Sequence, residues 1–214
     1  MLTDFNLYWL EFLTIAGVHL LAVASPGPDF AVVLRHSIGF GRRAAMLTSI
    51  GVGLGILIHV AYSLLGLGLL IKTTPGLFQI FSYFAAAYLA YLAWGALGSQ
   101  PRGSISEDSL PYQTGISDRK AIMVGFLTNG LNPKATLFFL SVFAVAVSVD
   151  TPTSIKLIYG LYLALATGLW FCIVSYFLST EKIRIFIGEK GYWFDRLMGL
   201  VLLALALKLL WPSL

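Results

Sequence analysis

The feature that most constrains the fold of this chain is a proline-rich interruption inside an apolar segment. Residues Phe12–Leu34 are apolar enough to cross a bilayer, yet residues 25–29 in their middle read SPGPD. Each proline lacks a backbone donor and clashes with the preceding turn, so a regular helix cannot continue through this segment. Within a membrane, unpaired backbone groups are tolerated only beside protein or a water-filled cavity. The segment therefore predicts a broken helix beside a cavity.

A second interruption lies in the other half of the chain. Asn132, Pro133 and Lys134 fall inside the apolar stretch Ala121–Val147. In both interruptions a proline is followed directly by a charged residue, and Asp29 and Lys134 are 105 positions apart, close to half the chain. Broken helices at matching positions in two halves indicate the binding site of a secondary transporter.

Composition places the chain in a membrane. Hydrophobic residues make up 58% of the sequence and charged residues 11%, whereas soluble domains carry about 25% charged residues. We predict an all-α integral membrane protein, since a spanning helix needs about 20 apolar residues. Six segments meet that requirement: Tyr8–Leu34, Ala44–Ile71, Pro75–Leu97, Ala121–Val147, Ile155–Leu178 and Trp193–Leu210.

These six segments predict a single transmembrane domain over residues 1–214. Its halves, residues 1–98 and 120–214, are joined by a polar loop, and with three helices in each half the repeats must be inverted. The alternative is five spanning helices, if the broken first segment does not cross. The acidic start of the chain, with Asp4 and Glu11, lacks the basic region of a cleaved signal peptide, so we expect the first segment to be retained.

The positions of lysine and arginine predict the orientation. Ten of them lie in or beside the loops after the first, third and fifth segments, and three lie at the opposite ends. Because cytoplasmic loops are enriched in these residues, the odd-numbered loops are expected in the cytoplasm and both termini outside. The net charge of +4 fits this sorting and gives no indication of nucleic-acid binding.

The charged pair at the two interruptions is the first candidate for function. In one interpretation, Asp29 and Lys134 form a salt bridge between the halves whose role is purely structural. Alternatively, with the unwound backbone, they bind a zwitterionic substrate or relay a proton, because buried charges switch readily when their pairing changes. The candidate pathway residues are Ser25, Pro26, Gly27, Pro28, Asp29, Asn129, Asn132, Pro133 and Lys134.

Histidines provide a second set of candidates. His19 and His59 lie inside predicted spans, and imidazole is the side chain most easily protonated near neutral pH. Proton coupling through Asp29, His19 and His59 is one interpretation, buried packing histidines are another, and haem ligation by the two histidines is a third. His36 lies at the end of its segment and is expected to be solvated.

Small residues within the second segment predict close helix packing. Gly51, Gly53 and Gly55 superficially resemble a nucleotide-binding loop, but no strand precedes them, as such a loop requires. Inside a membrane, small residues allow helix backbones to approach each other. Such surfaces are also compatible with a homodimer.

Two motifs carry a resemblance to a known family. The first motif, at residues 24–30 (ASPGPDF) followed by 39–45 (GFGRRAA), and the second, at residues 125–135 (GFLTNGLNPKA), resemble those of the LysE/RhtB family of bacterial amino-acid exporters. Within that family the two motifs are similar to those of the threonine and homoserine efflux branch. The resemblance covers essentially the whole chain. It implies export of an amino acid across the bacterial inner membrane, driven by the proton gradient. The positions that match the family's motifs are Ser25, Pro26, Gly27, Pro28 and Asp29 in the first and Asn132, Pro133 and Lys134 in the second.

Three readings of function remain open from the residues. The first is a proton-coupled exporter of a small neutral amino acid, or of a different amino acid or derivative, with no cofactor or metal. The second is an intramembrane enzyme using Ser25 or Asp29, although no second aspartate on another helix stands out as its partner. The third is a haem or redox membrane protein. The single cysteine, Cys172, excludes an internal disulfide and dithiol chemistry.

Overall fold

The part of the chain that the structure describes is mainly helical. A computed structural model describes residues 2–25, 27–64, 75–101, 115–148, 150–178 and 180–211, and these residues contain no β-strand. Their helices are α1 (Leu2–Ala24), α2 (Pro28–Phe40), α3 (Arg42–Tyr62), α4 (Pro75–Leu97), α5 (Asp118–Gly130), α6 (Pro133–Ala146), α7 (Thr153–Leu178) and α8 (Glu181–Leu210).

The helix bounds agree with the apolar segments at some ends and differ at others. Helix α4 has the bounds predicted for the third segment, whereas α8 begins at Glu181 instead of Trp193. The difference arises because hydropathy detects apolar sequence, while a helix continues through polar residues until its backbone pairing ends. The predicted end of the second segment at Ile71 and the turn that follows lie outside the described residues, apart from Pro75 and Gly76 at the start of α4.

Three described helices are long and apolar enough to cross a membrane by length and composition. They comprise Asn6–Ala24, Arg42–Tyr62 and Thr153–Leu178, and α6 is a shorter apolar helix. Large apolar side chains are also exposed on the outer surfaces of the bundle. Trp94 is 81% exposed and Leu165 74% exposed, which suits a protein whose outer surface meets lipid rather than water.

Helix α3 is packed at unusually short range between α5 and α7. A Cβ atom added to Gly51 or Gly125 would collide with the carbonyl oxygen of Ile122 or Thr48 across the α3–α5 contact. Gly53 lies in the same way against the backbone of α7 at Gly168. The predicted packing role of this glycine motif is therefore confirmed, and the contact joins helices from the two sequence halves.

A second helix pair forms the opposite side of the bundle. Helices α4 and α8 share an extensive contact, where a Cβ added to Gly199 would lie 2.8 Å from Leu97 Cγ. One apolar core connects this pair with α1, α6 and α7, and a smaller core connects α2, α3 and α7. The two helix interruptions lie where these cores approach each other.

Candidate functional site

The first interruption lies between α1 and α2. Helix α1 ends at Ala24, and α2 starts at Pro28 with Gly27 as its extended N-cap, which provides no side-chain cap. Pro26 lies outside the described residues. Asp29 is in the first turn of α2, where the backbone amides give the helix end a partial positive charge that stabilises a carboxylate.

The second interruption lies between α5 and α6. Helix α5 ends at Gly130 and α6 begins at Pro133, which is exposed. Asn132 is the N-cap of α6: its side-chain oxygen accepts from Lys134 N at 3.0 Å, and its own amide donates to Asn129 O at 2.8 Å. The second interruption therefore pairs backbone N–H groups of Asn132 and Lys134 with acceptors from its own residues.

The two interruptions meet through polar side chains. Asp29 Oδ2 accepts from Asn129 Nδ2 at 3.0 Å and from Asn132 Nδ2 at 3.4 Å, while Asp29 Oδ1 is buried and has no hydrogen-bond partner among the described residues. Lys134 Nζ donates to Ser25 Oγ at 3.5 Å and acts on Asp29 electrostatically. The charged residue of each interruption thus contacts neutral polar side chains of the other: Asp29 contacts Asn129 and Asn132, and Lys134 contacts Ser25.

A cavity opens at this meeting point. Its volume is about 590 Å³ when the open solvent at its mouth is included. One part of its wall is polar and is formed by Ser25, Asp29, Asn129, Asn132 and Lys134, with Gly27 and Pro28 beside them. The remainder is mainly apolar and includes Ile56, Leu92, Phe138, Phe139, Phe171 and Met198.

The histidine candidates occupy different positions. His19 lines the cavity and is 1% exposed; its Nε2 lies 2.8 Å from Thr167 Oγ1, and its Nδ1 has no hydrogen-bond partner. His59 is not part of the cavity wall. Both of its ring nitrogens are engaged, Nε2 with Asn129 O at 2.9 Å and Nδ1 with Tyr62 OH. A haem iron could not be ligated by His59 without breaking one of these contacts.

His36 corrects an expectation. It is buried rather than solvated, and its Nδ1 lies 2.6 Å from Thr48 Oγ1. His36 belongs to the last turns of α2, which continue beyond the predicted end of the first apolar segment at Leu34 and pack against α3. Its role is packing between these two helices.

Sequence reasoning missed one carboxylate of this region. Asp195 on α8 is 4% exposed, and its Oδ1 accepts from Ser25 Oγ at 2.9 Å. None of the sequence-based predictions singled out this residue, which the structure places beside Ser25. A signal was present, because Asp195 falls inside the predicted span Trp193–Leu210 and an acid within a span indicates function by default.

A second buried carboxylate lies away from the cavity. Glu11 is 6% exposed and accepts from Ser148 N at 2.8 Å and from Thr151 Oγ1 at 2.9 Å. It precedes Ser25 along α1 by about 20 Å at 1.5 Å per residue. These contacts attach α1 to the connection between α6 and α7, so Glu11 is structural.

Comparisons with known proteins find relatives over most of the chain. The chain is 29% identical over 204 residues to the uncharacterized membrane protein YahN of Escherichia coli strain K12, covering 94% of this chain and 89% of that protein. It is 29% identical over 191 residues to the threonine efflux protein of the same strain, covering 88% and 91%. It is 35% identical over 182 residues to the leucine efflux protein of Salmonella choleraesuis, covering 80% and 79%.

No solved structure matches the chain. The model of one family, the LysE type translocators, matches residues 20–213. That match spans both interruptions and, except for the part of α1 before residue 20, the helices that line the cavity. The protein is thus a membrane transport protein and not an enzyme, and it belongs to the LysE type translocator family.

Proposed function

We propose that this protein is a secondary transporter of the bacterial inner membrane that exports a small neutral amino acid in exchange for protons. The observation that carries the proposal is the cavity at the two interruptions, which places a carboxylate, an ammonium group and neutral amides within a mainly apolar wall. The names of the threonine and leucine efflux relatives support the substrate class.

The polar part of the cavity suits the two charged ends of an amino acid. The unpartnered Oδ1 of Asp29 accepts from the substrate ammonium group. Lys134 and the uncapped amides at the start of α2 bind the substrate carboxylate, since helix N-termini favour anions. The apolar wall then receives the substrate side chain.

The proposed architecture has six spans in two inverted repeats. Helices α1–α2, α3 and α4 form the first repeat, and α5–α6, α7 and α8 form the second, with both termini outside. The close packing of α3 against α5 and α7 supports a moving unit built from helices of both repeats rather than from one repeat alone.

Proton coupling is assigned to groups in and beside the cavity. Asp29 is the leading candidate because its carboxylate faces the substrate site, and His19 is the second because its Nδ1 is buried without a partner. His59 would act through Asn129, which it contacts through the backbone carbonyl. We further expect that a homodimer, if one forms, leaves each cavity within its own chain.

A larger aliphatic amino acid is a second candidate substrate. Phe138, Phe139 and Phe171 line the cavity beside Ile56 and Leu92, and this wall suits a leucine-like side chain better than a hydroxyl group. The discrimination available from a few methylene groups in an apolar pocket is about 1–3 kcal/mol each. A substrate panel decides between threonine-like and leucine-like substrates.

The test is transport by purified protein in liposomes loaded with a mixture of amino acids. We expect one or two neutral amino acids to leave when an inward proton gradient is imposed, and a protonophore to abolish this release. Asp29→Asn and Lys134→Met should abolish it as well, while the exposed Asp118→Asn serves as a matched control. Release of no amino acid by the wild type would overturn the proposal, and wild-type release by both site variants would overturn the site assignment.

A further inference from the structure

Asp195 has contacts on two sides that the cavity alone does not explain. The residue is not part of the cavity wall but lies directly behind Ser25, to which it is hydrogen-bonded at 2.9 Å. Its second carboxylate oxygen, Oδ2, accepts from Ser99 Oγ at 2.7 Å. The buried carboxylate of Asp195 therefore connects Ser25 with Ser99 through hydrogen bonds.

The contacts form a continuous chain from the cavity to the protein surface. Lys134 Nζ lines the cavity and donates to Ser25 Oγ at 3.5 Å, and Ser25 Oγ donates to Asp195. Ser99, beyond the C-terminal end of α4, is partly exposed. A hydroxyl group donates and accepts at once, so each serine can pass a proton from one neighbour to the next.

We propose that Asp195 is the group through which protons leave the cavity toward the surface at Ser99. This inference depends on the proton antiport proposed above. In the proposed orientation the connection after α4 faces the cytoplasm, which is the side where an exporter driven by inward proton flow must release its protons.

The transfer balances in two steps. Lys134 gives a proton to Ser25 Oγ while the Ser25 hydroxyl proton passes to Asp195 Oδ1, which leaves a neutral amine and a neutral carboxylic acid. The step removes one positive and one negative charge together, so it leaves the net charge of the three residues unchanged. Once the carboxylic acid has turned its proton toward Ser99, Ser99 Oγ accepts that proton and gives its own hydroxyl proton to solvent, and Lys134 is reprotonated by the proton that enters the cavity from outside.

The charged and titratable groups around Asp195 are consistent with this direction. On α6 it faces Lys134 through Ser25, and on its own helix Arg196 Nε donates to Ser99 O at 3.2 Å, which keeps that serine beside the carboxylate. On the far side of Ser25, Asp29 of α2 and His19 of α1 line the cavity.

The experiment separates coupled from uncoupled transport in liposomes. Counterflow, in which labelled substrate exchanges for unlabelled substrate, needs no net proton movement, whereas export driven by a pH gradient does. We expect Asp195→Asn to retain wild-type counterflow and to reduce gradient-driven export by roughly 100-fold, the usual scale of a positioned proton-transfer group. Glu11→Gln is the matched control, because it neutralises an equally buried carboxylate that is not part of the hydrogen-bond chain from Lys134 to Ser99.

A second variant protects the test against misfolding. Ser99→Ala removes only the surface end of the chain at a partly exposed position, and it should lower gradient-driven export several-fold without changing counterflow. Coupled export by Asp195→Asn at the wild-type rate would overturn the inference, and so would equal loss of counterflow and coupled export in both variants. If the wild type itself exchanges substrate without responding to the gradient, proton antiport fails first and the inference fails with it.

Discussion

The two helix interruptions differ in how they are held. The second, between α5 and α6, is capped by its own residues, since the Asn132 side chain accepts from Lys134 N. The first, between α1 and α2, has Gly27 as an N-cap without a side chain, and the side-chain contacts of Ser25 come from α6 and α8. One interruption is stabilised locally, and the other depends on distant partners.

This difference suggests which interruption moves. A locally capped helix start keeps its geometry when its neighbours shift, whereas a segment held by remote partners can be released when those contacts exchange. We therefore infer that the second interruption is a fixed platform and that the first adjusts during transport. The following predictions test that contrast, beginning with the largest expected effect.

Asn129→Ala should have the largest effect because it removes the shorter contact between the interruptions. Asn129 is 1% exposed and donates to Asp29 Oδ2 at 3.0 Å. Hydrogen bonds to charged groups contribute about 1.5–3 kcal/mol, so we expect transport efficiency to fall roughly 10- to 150-fold. Substrate titration of initial export rates measures the change, and an unaltered rate at limiting substrate would contradict the contact's role.

Ser25→Ala should destabilise the first interruption more than Asn132→Ala destabilises the second. Removing the Ser25 hydroxyl takes a donor from buried Asp195 and an acceptor from Lys134, at a cost of about 1–3 kcal/mol. Asn132→Ala removes the helix cap, at a cost of about 1 kcal/mol, together with the contact from Asn132 Nδ2 to Asp29 Oδ2, which at 3.4 Å is longer than an ordinary hydrogen bond and adds little. Thermal unfolding in one detergent compares the variants, and the reverse order would show that the second interruption is the weaker one.

Gly27→Ser should give the first interruption the local cap that it lacks. A Cβ there would lie 3.8 Å from Lys134 Nζ, an ordinary contact distance. We expect stability to rise by about 0.5–1 kcal/mol, from the cap and from the lost freedom of the unfolded glycine. Export should slow, because the new hydroxyl occupies amides that the substrate needs. Faster export together with higher stability would argue against an adjustable first interruption.

Asp118→Asn should have the smallest effect because its ion pair is exposed and far from both interruptions. Arg43 Nη2 lies 2.6 Å from Asp118 Oδ2, and this guanidinium lowers the pKa of the carboxyl group below its ordinary value. The contribution of a group with a lowered pKa is complete above its ordinary pKa and disappears as the pH falls through the lowered value. Unfolding temperatures of wild type and variant should therefore converge in acid, and a transport defect at neutral pH would be unexpected.

The sequence predicted the positions of the interruptions because proline chemistry is local. Pro28 and Pro133 each start a helix in the structure, as the missing backbone donor of proline requires. The charges that follow the prolines could be named for the same reason. That both interruptions would border one cavity followed from their matching positions in the two halves.

The remaining features depend on packing that no local pattern contains. The capping difference between the interruptions requires knowledge of which side chains reach Ser25 from α6 and α8. The position of Asp195 depends on the register of α8 against α4, which is set where Gly199 lies against Leu97. The two cavity aromatics on α6, Phe138 and Phe139, could not be separated by sequence from the lipid-facing aromatic residues.

The glycine contacts of α3 also have a consequence for biogenesis. This helix leaves the ribosome long before α5, whose backbone it must later contact at Gly51 and Gly125. With synthesis at about 5–20 residues per second, the 68 residues between Tyr62 and Gly130 take roughly 3–14 s. During that time the glycine-containing surface of α3, which later packs against α5, is exposed to lipid or to the insertion machinery. A substitution that slows or reverses insertion of α5 would thus expose the first half of a nascent chain to degradation before transport is ever tested.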